Sequence, residues 1–322
     1  MKNIIYSFIA SLVLVSSPVL AGTPYSEIFV FGDSLSDPGN VFVVTGEHSV
    51  RPFNADNIPD APYARGGHHF SNGKTWIEQL SADLKLKGGT GPALRTSAFT
   101  NYAFGAARAR MTGVMDLSSQ VGLLLSDMQG NIPADALYSV YVGGNDVRDA
   151  TETFFAVFFN TGDPVAAQLA AEAVVGEAVQ SIADNILLLT SLGATHFLVP
   201  NVPNIGVTPA IQSLSPQAVA VATGLSSGFN AALEATLFNL ENGLGVQITR
   251  LNVFKLINDA VADPDIADLV NVTDACITPL VRKGAFCNKP DDYLFWDGIH
   301  PTRAGHAYLA GAALNALAQS AL

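Results

Sequence analysis

Short runs of β-branched and aromatic residues that stop in Gly, Asn or Pro recur along this chain, with helical patterns between them, and no other feature constrains the fold as much. Residues 27–31 read as a strand that runs straight into Gly32. Residues 136–142 and 196–199 repeat the pattern, and residues 246–253 supply a fourth strand. Helical periodicity fills the intervals: residues 75–86, 117–128, an alanine-rich stretch at 164–192, 216–240 and 303–317. Strands that alternate with helices imply βαβ units, so the expected fold is α/β: a three-layer α/β/α sandwich around a mostly parallel sheet. With 322 residues and 49% hydrophobic content, the chain can bury the core such a sandwich needs.

The first 21 residues stand apart. Lys2 precedes an apolar run from Ile4 to Val15, and Val19-Leu20-Ala21 offers the short residues that a signal peptidase requires. The run is shorter than the ~20 residues of a membrane span, so residues 1–21 are expected to be a secretory signal cleaved after Ala21, and 22–322 a single domain. No later segment reads as a span. The destination is extracytoplasmic, periplasmic or secreted. A net charge of −12 argues against nucleic acid as a partner, because phosphate tracking needs clustered Lys and Arg. Cys276 and Cys287 suit an oxidising compartment, where they either close a small loop or stay free. No CxxC pair and no HExxH occurs, so no metal or other cofactor is expected.

In a parallel sheet, ligands bind beyond the carboxyl ends of the strands. Three such ends carry candidates: Gly32-Asp33-Ser34, Asn101-Tyr102-Ala103-Phe104-Gly105 and Gly143-Gly144-Asn145-Asp146. A serine becomes a nucleophile only with a base, an acceptor that orients the base, and donors for an oxyanion. Of six histidines, His300 is the best placed base, because Asp297 precedes it by three residues and Pro301 keeps it out of helical geometry. Thr302 can cap the helix that follows. Such a DxxH turn alone also describes an ordinary turn before a helix. The elbow of the α/β-hydrolases is absent, since Ser36 replaces its second glycine, and a phosphate loop fails because His68 stands where Gly73-Lys74-Thr75 requires glycine. Adjacent side chains diverge, so His68 and His69 are read as surface or cleft-rim residues rather than a metal pair.

Taken in order, four blocks resemble the GDSL esterase/lipase family, also called SGNH hydrolases. They are Phe31-Gly32-Asp33-Ser34-Leu35-Ser36-Asp37, Asn101-Tyr102-Ala103-Phe104-Gly105-Ala106, Gly143-Gly144-Asn145-Asp146 and Asp297-Gly298-Ile299-His300-Pro301-Thr302. Residues 198–206 are similar to a further segment of its lipase-like branch. The resemblance implies a flavodoxin-like sandwich, and an esterase in which Ser34 attacks, His300 moves the proton and Asp297 orients His300. It also implies an oxyanion hole from the Ser34 N–H, the Gly105 N–H and the Asn145 amide. The chain departs from the pattern at Gly105-Ala106, where many relatives have two glycines. Phe154, Phe155, Phe158 and Phe159 follow closely behind Asn145 and either wall an acyl pocket for fatty-acyl esters or pack a short helix on the core. Phospholipase, acyltransferase and carbohydrate deacetylase activities would use the same chemistry, and a non-catalytic binding protein is the competing class. The expected partner is a small-molecule or lipid ester; the sequence assigns no oligomeric state.

Overall fold

The structure is a computed structural model and describes residues 23–55, 57–113 and 115–320. The expected signal segment, 1–21, lies outside the described residues. In chain order the elements are β1 (Ile28–Gly32), α1 (Asn40–Thr45), α2 (Trp76–Asp83), α3 (Leu117–Asp127), β2 (Leu137–Tyr141), α4 (Gly144–Thr161), α5 (Pro164–Ser191) and β3 (His196–Pro200). Then come α6 (Pro209–Gln212), α7 (Pro216–Leu244), β4 (Gln247–Leu251), α8 (Val253–Ala262), β5 (Asn271–Ala275), β6 (Tyr293–Phe295) and α9 (Arg303–Ser320), with short 3₁₀ turns between some of them.

The central sheet is parallel in the order β1-β2-β3-β4. Residues 100–104 run beside the free edge of β1: Val30 N–H donates to Thr100 O at 3.0 Å and Tyr102 N–H to Val30 O at 2.8 Å. Every residue of β1 and β2 is buried, as expected of parallel strands covered on both faces. Alternation along the strands sorts the core into two layers. Phe29, Phe31, Tyr138 and Val140 face the layer of α3, α4, α5 and α7. Ile28, Val30, Leu137 and Tyr141 face α2, α8 and α9. The sandwich expected from the sequence is the fold.

Helix ends explain most boundaries. Asp163 and Ser215 cap the amino ends of α5 and α7, and proline follows each cap at the first helical position. Asn252 accepts a hydrogen bond from Lys255 N–H at 2.9 Å and opens α8, so the fourth strand ends at Leu251 rather than at residue 253. Two further features differ from the sequence reading. The Gly143-Gly144 pair is the start of α4, an 18-residue helix, because Gly143 takes a φ of 128° at the close approach of Phe229 and Val202. The 28-residue α5 is long and apolar enough to cross a membrane, contrary to the expectation for later segments. Its buried positions, among them Ala171, Ala178, Ile182 and Ile186, lie in the first core layer, which is the pattern of a core helix.

The minor sheet of β5 and β6 is parallel and carries the chain to the Asp297 turn. Cys276 and Cys287 form a disulfide next to it. Cys276 N–H donates to Phe295 O at 3.0 Å and Ile277 N–H to Trp296 O at 2.9 Å, so the cystine loop is laced to the strand that precedes Asp297. Phe53, Tyr63 and Trp296 pack with Cys276 as a separate aromatic cluster.

Candidate active site

β1 ends in a turn fixed by Asp33. Its carbonyl accepts from the N–H groups of Ser36 and Asp37, both at 3.0 Å, and its Oδ1 accepts from Leu35 N–H at 3.0 Å. Gly32 is required one residue earlier, because a Cβ there would lie 2.6 Å from Tyr141 O. Gln120, on the buried face of α3, holds both polar groups of Gly32 at 2.8 Å. Ser34 emerges from this rigid turn at the carboxyl end of the sheet.

The C-terminal turn meets it there. His300 Nε2 lies 2.8 Å from Ser34 Oγ, and His300 Nδ1 lies 2.7 Å from Asp297 Oδ2. Asp297 Oδ1 accepts from the N–H groups of Ile299 and His300 at 2.9 and 2.7 Å, so the carboxylate closes its own loop while gripping the imidazole. A further donor, absent from the sequence reading, completes the acid: Tyr63 Oη donates to Asp297 Oδ2 at 2.6 Å. Burial alone would raise the Asp297 pKa; His300 and the hydrogen bonds from His300 and Tyr63 outweigh it and hold the carboxyl below its ordinary range. Tyr63 comes from the long 41–72 segment, which folds against this turn. Gly298 N–H donates to Asn57 O at 2.6 Å, and Ser71 Oγ donates to Pro301 O at 2.9 Å.

The expected oxyanion donors are placed unequally. Asn145, in the first turn of α4, lines the Ser34 cavity and uses Nδ2 to donate to Ala107 O at 2.9 Å, which leaves its second amide hydrogen. The Gly105 N–H donates instead to Asp37 Oδ2 at 2.9 Å. Asp37 also accepts from Gly39, Asn40 and Val41; burial nonetheless raises its pKa to about 6. The next residue, Ala106, adopts a φ of 64°, the left-handed region where glycine is favoured. This accounts for the second glycine of the related pattern.

None of the four phenylalanines lines the cavity that contains Ser34. Phe154 is buried in the core layer with Phe158 against it, because they sit on the inner face of α4. Phe155 and Phe159 line a neighbouring groove of about 570 Å³, joined to the Ser34 cavity by Arg148. His69 is also a correction. It is 5% exposed and pairs with Glu78 at 2.9 Å; burial opposes its charge, but Glu78 outweighs burial and raises its pKa. His68 stacks on Phe42. Among the described residues no cluster of three or more His, Cys, Asp or Glu side chains is arranged to hold a metal.

His306, on α9, is buried with no hydrogen-bond partner on either ring nitrogen, and burial, with smaller effects of His300 and His69, lowers its pKa to about 3. The unfolded chain protonates this group near pH 6.5, the folded one near 3. Its contribution to stability is therefore intact above pH 6.5 and declines as pH falls toward 3. At pH 4 the loss is about 3 kcal/mol. Urea unfolding at pH 7 and pH 4 is expected to show that His306→Met loses less stability on acidification than wild type; equal losses would contradict this account. Asp33 and Asp37 titrate in both proteins and cancel in the difference.

Comparison with known proteins gives a consistent relationship. A family model described as GDSL-like Lipase/Acylhydrolase matches residues 28–313. A GDSL esterase/lipase of Arabidopsis thaliana is 24% identical over 88% of this chain and 82% of its own length. A second from the same plant is 24% identical over 96% and 93%. Among solved structures, the extracellular lipase of Streptomyces rimosus superposes with a TM-score of 0.40 at 15% identity, covering 90% of this chain and 98% of its own.

Proposed function

Because the chain belongs to the GDSL-like lipase/acylhydrolase family and is therefore an ester-bond hydrolase, we propose that it is a secreted serine carboxylic-ester hydrolase acting through Ser34, His300 and Asp297. The reading rests above all on one observation, the continuous chain of contacts Ser34 Oγ to His300 Nε2 at 2.8 Å and His300 Nδ1 to Asp297 Oδ2 at 2.7 Å. That chain provides a nucleophile, a base and an acceptor that fixes the tautomer of the base.

In the first half-reaction Ser34 Oγ bonds to the ester carbonyl carbon while its proton passes to His300 Nε2. The tetrahedral oxyanion is held by the Ser34 N–H and the second Nδ2 hydrogen of Asn145. The Gly105 N–H, the third donor that the family resemblance implies, is engaged by Asp37. Collapse breaks the bond between the acyl carbon and the alcohol oxygen, and His300 returns the proton to the leaving alcohol. Water activated by the same imidazole then attacks the acyl-enzyme and releases the acid. Asp297 stays ionised throughout and supports the imidazolium.

Secretion is part of this proposal: residues 1–21 direct export, residues 22–322 form the mature hydrolase domain, and the Cys276–Cys287 disulfide suits an oxidising compartment. Protein recovered outside the cytoplasm is expected to begin at Gly22; a mature terminus at Met1 would refute the cleavage. The catalytic reading is tested by a fluorophosphonate probe. Wild type is expected to label and Ser34→Ala to remain unlabelled, and equal labelling of the two would remove Ser34 from the chemistry.

A further inference from the structure

The cavity beside Ser34 contains a polar group that ester hydrolysis leaves unused. Its volume is about 50 Å³, room for roughly four water-sized groups, and Ile205, Val253, Ile257, Ile299 and Leu309 make much of its wall apolar. Tyr141, the last residue of β2, also lines it. The ring is held edge-on to Trp76 at 5.6 Å, and its hydroxyl is buried with no hydrogen-bond partner. Buried hydroxyls in native proteins nearly always have a partner, so an unpaired one on a cavity wall points to a ligand that supplies it. Asp33 lines the same cavity. Burial, reinforced by Asp33, pushes the Tyr141 pKa well above its ordinary range, so the group remains a neutral donor.

The two compartments divide an ester naturally. The acyl half stays bonded to Ser34 through both half-reactions, whereas the alcohol must leave after the first. The small cavity that contains Ser34 suits the retained half, and the wide groove beyond Arg148 suits the departing one. Resting on the proposed hydrolysis at Ser34, the geometry points to an acyl subsite that selects short acyl chains bearing a hydroxyl group, with Tyr141 as the residue that determines this specificity. A hydroxyl accepts from Tyr141 Oη and can donate to the Asp33 carboxyl. A methyl group of equal size leaves the Tyr141 hydroxyl unpaired, and sites built to bond a substrate hydroxyl discriminate strongly against the analogue that lacks it.

The test compares esters of one alcohol that differ only in that group: 3-hydroxybutyrate against 3-methylbutyrate, and 4-hydroxybutyrate against pentanoate. Wild type is expected to prefer at least one hydroxylated member by about ten-fold or more in kcat/KM. In Tyr141→Phe, which loses only an unpaired hydroxyl, the preference is expected to fall to within about two-fold while the unhydroxylated ester is still turned over. Absence of a preference in wild type, or a preference that survives in Tyr141→Phe, overturns the inference. Calorimetric binding of the same pairs to Ser34→Ala keeps the two readings separate. There a preference that depends on Tyr141 supports the subsite even if Ser34 is not the nucleophile, and equal binding rejects the subsite even if Ser34 is.

Discussion

Replacing Ser34 with alanine is expected to lower kcat toward short-chain p-nitrophenyl esters by roughly a million-fold, with stability and KM nearly unchanged. The size of the effect follows from the geometry. Ser34 Oγ is the atom that meets His300 Nε2, and without it the imidazole and Asp297 have no nucleophile to activate. On the proposed mechanism the three groups act as a unit, so His300→Ala added to Ser34→Ala is expected to cost little more, and a loss close to the product of the single effects would contradict a shared step. Stopped assays with purified protein, checked for contaminating esterase by fluorophosphonate labelling, measure both numbers.

The second large effect is expected at Asn145. Asn145→Ala removes the amide hydrogen left over from the bond to Ala107 O, the proposed oxyanion donor, and losing one such donor lowers kcat by about 10² to 10³, or about 3 to 4 kcal/mol of barrier. KM is expected to move little, because the interaction forms with the oxyanion rather than with the ground-state carbonyl. Asn145→Asp keeps the shape, loses the donors and places a carboxylate against the developing charge, so it is expected to be the slower variant. A kcat for Asn145→Ala within about three-fold of wild type would remove Asn145 from the oxyanion hole. Covalent labelling of Ser34 should persist in both variants at a reduced rate, which separates this loss from a collapsed fold.

How much of this was legible in the sequence depended on how local each signal was. The first three central strands announced themselves by composition and by the residues that stopped them, whereas the fourth was read two residues past its end at Leu251, and strand ends place Ser34 and Asn145 at one edge by topology alone. The turn from Asp297 to His300 was readable because both residues and its proline are adjacent in sequence. Tyr63 was not, since it lies 234 residues from Asp297 in a segment without periodicity. Gln120 left a faint trace as a polar residue at the spacing of the buried Leu117, Val121 and Leu124. The extent of α4 was hidden because Gly143-Gly144 resembles a loop, and only the packing of Phe229 against Gly143 shows why a helix begins there. His69 was misplaced because Glu78, the carboxylate it pairs with inside, is brought to it by the fold.

The proposed nucleophile and base, Ser34 and His300, stand 266 residues apart along the chain, at the first strand of the sheet and in the loop before α9. Translation proceeds from the amino end, and domains complete their folding only when the residues they need have emerged. On the proposed mechanism, a growing chain therefore carries Ser34 for most of its synthesis without the His300 that would activate it. α9 packs against α2 next to that loop, and on the proposed chemistry a polypeptide truncated before Asp297 would lack the base and its orienting carboxylate. If Ser34 and His300 act as proposed, capacity to cut esters comes only when the two ends of the chain have met.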